Sequence, residues 1–298
     1  MARAALLRRI RGFFEQRDVL EVETPLLCSA PASDPGLLPL RCGERWLQTS
    51  PEYAMKRLLA ADSGPIFQLC KAFRGDEVGA RHNPEFTMLE WYRPGYTLSK
   101  LIEEVAYLVG GVLDRTQWQV ITYAELFERH LALNPHSVTA EDLERCARDR
   151  IELNGTLEQR DGWLDLLFTH VIEPAIENEG LVFVRDFPAS QASLARLRTR
   201  GQFEVADRFE LYVDGVELAN GYRELTDPVE QRSRFEKDEA ALAALGESPR
   251  PRDTRLLYAL ADGLPDCSGV ALGVDRLFML ARGLAHFSEA VSFDWARS

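Results

Sequence analysis

Asn83-Pro84-Glu85-Phe86-Thr87-Met88-Leu89-Glu90-Trp91-Tyr92 is the stretch on which the reading of this chain turns. From Glu85 onward it reads as a strand, so its side chains alternate and Phe86, Met88, Glu90 and Tyr92 share one face. Burying Glu90 on a sheet face costs on the order of several kcal/mol unless a cation or donor meets it. Two partners are open at this point. One is an arginine in a structural salt bridge, and the other is the ammonium of a ligand.

Working outward, Ile66-Phe67-Gln68-Leu69 begins a second strand, separated from the first by a polar loop around 75–83 that follows Phe73-Arg74-Gly75-Asp76-Glu77. Upstream, Ser50-Pro51-Glu52 is a helix start, with a hydroxyl cap, proline at the first position and an acid in the first turn, and it predicts a helix from Pro51 to Ala61. Residues 3–17 carry Leu6, Leu7, Ile10, Phe13 and Phe14 at helical spacing. Val19–Thr24 alternates as a strand that Pro25 stops. Downstream, 98–113 reads as a helix. The stretch 114–205 is mixed, with a helix over Leu164–Ile176, a strand over Leu181–Val184 and an arginine-rich surface loop or insertion over Ala189–Gly201.

Asp214-Gly215 between Phe209–Val213 and Val216–Leu218 is a strong hairpin signal. A two-residue turn there sets Val213 against Val216 and Tyr212 against Glu217, with Glu210 diagonal to Glu217 on the same face. Two acids so close are destabilising unless a cation sits between them, and hard oxygen ligands suit Mg²⁺; an exposed acidic face is the plainer alternative. Beyond it, Asn220, Tyr222 and Glu224 share a face that strict alternation sets opposite Glu217. A bulge near Gly221 would bring both sets together, and a regular ladder through 216–224 would refute that. A polar helix follows from Pro228. Gly269–Leu272 then reads as a strand and Gly273–Arg282 as a helix, with Arg276 in its first turn able to reach a phosphate. Strands in the middle with helices around them give an α+β fold with a mainly antiparallel sheet flanked by helices.

The composition is that of a globular protein, with 46% hydrophobic and 28% charged residues over 298 positions. No apolar run approaches the ~20 residues of a membrane helix, so no membrane role is expected. The five cysteines (28, 42, 70, 146 and 267) are scattered, which fits free thiols in a cytoplasmic protein and excludes a cysteine-based zinc site by spacing. A net charge of −12 with dispersed arginines speaks against a dedicated nucleic-acid-binding surface.

These segments, in this order, resemble the class II aminoacyl-tRNA synthetases. The strand ending at Pro25 is similar to motif 1, Phe73-Arg74 through Tyr92 to motif 2, and Gly269–Arg276 to motif 3. Thr49-Ser50-Pro51-Glu52, Asn83 through Glu90, and Asn220-Gly221 with Glu224 resemble the lysyl branch. The resemblance implies one class II catalytic domain over 1–298, ATP and Mg²⁺ as cofactors, and a homodimer through motif 1. It implies that Arg74 holds the α-phosphate and the amino-acid carboxylate, and Arg276 the γ-phosphate. Gly75, Asp76, Asn83, Phe86, Glu217, Leu218 and Gly273 would lie along the nucleotide, and Glu210 and Glu217 would hold Mg²⁺. Ser50, Pro51, Glu52, Glu90, Tyr92, Asn220 and Glu224 would line a pocket for a lysine-like substrate.

Two departures narrow the resemblance. Only one helix precedes motif 1, so an anticodon-reading domain is not expected, and Ala271 stands where these synthetases usually have glycine. Both match the elongation factor P lysine ligases, truncated lysyl-synthetase paralogues that attach (R)-β-lysine to a lysine ε-amino group of elongation factor P, with no tRNA. The Arg-x-Glu pattern of motif 2 appears here as Arg74-Gly75-Asp76 followed by Glu77, and either acid could make the nucleotide contact. A non-catalytic synthetase-like regulator, a minimal lysyl-tRNA synthetase and an ammonia-dependent amide synthetase are the competing readings. The retained Arg74, Arg276 and acid pair oppose the first, the acidic charge opposes the second, and the carboxylate-rich pocket opposes the third.

Overall fold

The Glu85–Pro94 segment is a strand. It is buried along most of its length because it lies between two antiparallel neighbours, Ile66–Phe73 on one side and Cys267–Gly273 on the other. The register pairs Glu90 with both Gln68 and Ala271, and Tyr92 with Gly269, so these side chains share one face. These strands belong to the first of two units in a computed structural model that describes every residue except Asp76. That unit comprises Met1–Asp114 and Glu224–Ser298, and the other comprises Arg115–Arg223.

In the first unit the helix Ala2–Glu15 buries Leu6, Ile10 and Phe14, the spacing its sequence predicts. Phe14 stacks on Phe67 with ring centroids 4.4 Å apart and meets Trp91 edge-on. The strand expected over Val19–Thr24 shortens to Leu20–Glu21 and runs parallel to Ile66–Phe67. Its two residues are exposed, so only edge hydrogen bonds hold it, and one more such bond at Val22 completes it before Pro25. The helix expected from Pro51 spans Glu52–Ala60. Under it Met55, Leu59, Ile66, Tyr92, Phe235 and Leu256 form a core.

The second unit is built on the strand Phe203–Val213. It pairs antiparallel with Val216–Arg223, Leu181–Pro188 and Leu197–Arg200, while Trp118–Thr122 joins Leu181–Pro188 in parallel. Asp214 and Gly215 both take left-handed backbone, φ 50° and 68°, as a tight hairpin turn demands. The predicted surface loop over Ala189–Gly201 instead contains the strand Leu197–Arg200. Its arginines have a reason to be there, since Arg198 and Arg200 both reach the buried carboxylate of Asp186. The helix expected over Leu164–Ile176 runs as Arg160–Leu167 and then widens into a π-turn over Phe168–Ile172, just ahead of Pro174, which cannot donate a backbone hydrogen bond. Tyr123 stacks on both Phe127 and Phe168 in the core of this unit. Among the described residues no helix is long and apolar enough to cross a membrane.

Candidate active site

In the first unit, three acids converge behind the helix start at Ser50. The Ser50 hydroxyl accepts a hydrogen bond from the Glu52 amide at 3.0 Å, as the predicted cap does, and donates to Glu90 Oε2 at 2.8 Å. The Tyr92 hydroxyl donates to Glu90 Oε1 at 2.6 Å. Glu90 is 2% exposed, and among the described residues no arginine meets it. Two neutral hydroxyls do. Burial pushes the Glu90 carboxyl up, the negative charge of Glu52 adds to this, and it titrates near about 8 instead of 4.5.

Glu224 completes the cluster. Its amide donates to the Cys267 carbonyl, and its carboxylate lies against the backbone at Gly269. A Cβ at position 269 would come within 2.3 Å of the Tyr92 ring and 2.6 Å of Glu224 Oε1, so only glycine lets the strand approach both side chains. Ala271, opposite Glu90 in the register, projects its methyl on the pocket face.

One member of this cluster escaped the sequence reading. Lys56, 1% exposed, places its Nζ 2.6 Å from Glu52 and 2.7 Å from Glu224. Burial alone would lower its pKa, but the two carboxylates outweigh burial and the shift is upward. The signal was present as Glu-x-x-x-Lys over 52–56, a spacing that on most helices marks a solvated surface pair.

Along the same face lie the two arginines. Arg74 covers the Phe86 ring, with its guanidinium carbon 5.1 Å from the centroid, and pairs with Glu77 at 3.5 Å. Its Nε is buried and lacks a hydrogen-bond partner among the described residues, an arrangement ready for an anion. Of the two acids in question near it, Asp76 lies outside the described residues. A Cβ at Gly273 would stand 3.8 Å from the methylenes of Arg276, and position 273 pairs with Met88, so the Arg276 side chain crosses the face that carries Glu90. Its guanidinium meets His82, and the neighbouring Asp275 is held by the Thr87 amide and by Arg3. Asn83 is engaged structurally: its amide donates to the Glu85 carbonyl, and its oxygen accepts from the Trp295 amide.

In the second unit the hairpin has the register expected, Val213 against Val216 and Tyr212 against Glu217. The bulge is real but lies at Leu218, not near Gly221, because Leu211 pairs with Ala219 while Tyr212 pairs with Glu217. The effect is the one anticipated for that strand: Glu210 and Asn220 now face the same way as Glu217. Arg208, also missed from sequence, forms an ion pair with Glu210, to which Tyr212 donates at 2.5 Å. Burial pushes the Glu210 carboxyl up to about 7; Arg208 opposes the rise and the charge of Glu217 adds to it. Glu210 and Glu217, two hard carboxylates on one sheet face, have the donor chemistry of a divalent-cation site. The Asn220 oxygen is buried without a hydrogen-bond partner among the described residues.

The family model for tRNA synthetases class II (D, K and N) matches residues 1–296. The chain is 49% identical, over 98% of its length and 94% of theirs, to proteins of Salmonella paratyphi B, Salmonella heidelberg and Salmonella schwarzengrund named elongation factor P–(R)-beta-lysine ligase.

Proposed function

Because the chain belongs to the class II tRNA synthetases (D, K and N), we propose that it is the ligase its relatives are named for, activating (R)-β-lysine with ATP and joining it to elongation factor P. One observation supports this reading above the others. Glu52 and Glu224, beside Glu90, already hold an alkylammonium, that of Lys56, in a buried setting. A pocket that accommodates one such group internally is chemically suited to another from a ligand.

The reaction needs no covalent nucleophile from the chain. The substrate carboxylate attacks the α-phosphorus of ATP in line, pyrophosphate leaves, and an acyl-adenylate forms. The ε-amine of the acceptor lysine then attacks the acyl carbon; an amide bond forms, AMP leaves, and the amine gives up its proton. In this reading Arg74 bridges the α-phosphate and the substrate carboxylate, and Arg276 holds the far end of the triphosphate, so that catalysis is positioning and charge neutralisation. Glu210 and Glu217 would hold Mg²⁺, which supplies further neutralisation of phosphate charge. Glu52, Glu90, Tyr92 and Glu224 recognise the amines, with Ser50 and Pro51 shaping the pocket wall. Gly75, Phe86 and Gly273 line the nucleotide, and Asn83 fixes the strand that carries Phe86. The reading includes a single catalytic domain, a homodimer, a cytoplasmic location and no tRNA substrate. Five free cysteines accord with a reducing compartment.

Mass spectrometry of elongation factor P incubated with the chain, ATP and either (R)-β-lysine or α-lysine tests it. A mass increase of one lysyl unit with the β-isomer is expected, and no increase with either isomer overturns the reading.

A further inference from the structure

Lys56 has no part in the reaction just described, yet it sits among the acids that do. An i,i+4 ion pair on a helix surface contributes only about 0.2–0.5 kcal/mol and would call for no comment. This pair is buried, and its ammonium also bridges to Glu224, a residue outside the helix. Two carboxylates, Glu52 and Glu224, therefore share the Lys56 charge, and Glu90 lies beside them, held by the Ser50 and Tyr92 hydroxyls. Without that charge, acids packed this closely would hold protons in common. Three other ionisable groups at the cluster, Tyr53, Tyr92 and Cys70, stay neutral near pH 7. Burial, chiefly, pushes the Tyr53 and Tyr92 hydroxyls up and the Cys70 thiol up to about 12.

We propose that Lys56 is a positioning residue, an internal counter-ion that holds Glu52 and Glu224 as aimed carboxylates, so that a diamino acid meets two ready acceptors instead of a protonated pair. This deepens the function proposed above and rests on it. Its consequence is a proton count. With Lys56 in place, ligand binding near pH 7 expels no more than about one proton, the one that burial keeps on Glu90. In Lys56→Met, nearly the same shape without the charge, Glu52 and Glu224 share a proton that the ligand must displace. Lys56→Arg fits less well but keeps the charge.

Calorimetric titration of (R)-β-lysine into the full chain, in two buffers of different ionisation enthalpy at pH 7, reads that count directly. Relative to wild type, Lys56→Met is expected to release about one more proton per ligand and to bind at least about tenfold more weakly. Lys56→Arg is expected to release the wild-type number and to bind within a few-fold of wild type. The inference is overturned if wild type releases about two protons or more, if the Met variant keeps the wild-type count and affinity, or if the Arg variant is the weaker binder of the two. Thermal melts establish that each variant is folded, and the wild-type count decides alone if the Met variant is not. Absence of binding to wild type instead overturns the diamino-acid reading itself, and this inference with it.

Discussion

The Tyr92 hydroxyl lies 2.6 Å from the Glu90 carboxylate, two residues apart on one strand face and both almost fully buried. Hydrogen bonds to a charged group contribute about 1.5–3 kcal/mol. Removing this one in Tyr92→Phe leaves a buried oxygen without its donor and makes the ionised acid harder to reach. The KM for (R)-β-lysine in ATP–pyrophosphate exchange is expected to rise roughly 10- to 100-fold, with the KM for ATP nearly unchanged. Equal losses for both substrates would count against an amine-recognition role.

Glu90 also makes stability depend on pH. Its carboxyl titrates near about 8 when folded against 4.5 ordinarily, so between these values the folded chain binds a proton that the unfolded chain has lost. Its contribution is therefore fully present below pH 4.5 and declines as pH rises toward about 8. Glu90→Gln, which cannot titrate, should gain on wild type across that window by an amount on the order of 2–4 kcal/mol. Urea denaturation at intervals from pH 5 to about 8.5 measures the difference, and a constant gap between the two proteins would refute the shift.

Gly269→Ala introduces a methyl into space already held by the Tyr92 ring and Glu224 Oε1. Overpacking of this kind costs about 1–3 kcal/mol, and here it also displaces two pocket residues. Both the unfolding midpoint and the affinity for (R)-β-lysine should fall. A variant that kept its affinity would show that Tyr92 and Glu224 do not act at this spot.

Arg74 combines a cation–π contact with Phe86 and a buried Nε that lacks a hydrogen-bond partner among the described residues. Arg74→Ala is expected to abolish ATP–pyrophosphate exchange. Arg74→Lys should recover little of it, because an ammonium restores the charge without the fork or the flat face. Substantial exchange in either variant would remove Arg74 from the chemistry.

Much of this arrangement was legible in the sequence because local signals agreed with the fold. The alternation over 85–92, the Ser50-Pro51-Glu52 helix start and the Asp214-Gly215 turn each produced the element expected. What stayed hidden depended on contacts between distant segments. Lys56 and Arg208 look like ordinary surface charges until Glu224 and the fold around Glu210 enclose them. The strand Leu197–Arg200 reads as a polar loop because the acid that justifies its arginines, Asp186, comes from another strand. The strand expected over 19–24 is only Leu20–Glu21, because it pairs on one side alone, at the sheet edge.

The extra residue at Leu218 makes the hairpin sensitive to parity. Adding or deleting a single amino acid between Val216 and Asn220 would turn the far half of that strand over, exchanging inward and outward side chains, whereas a change of two would preserve their orientation. Length variation among natural or engineered versions of this segment should therefore come in even steps.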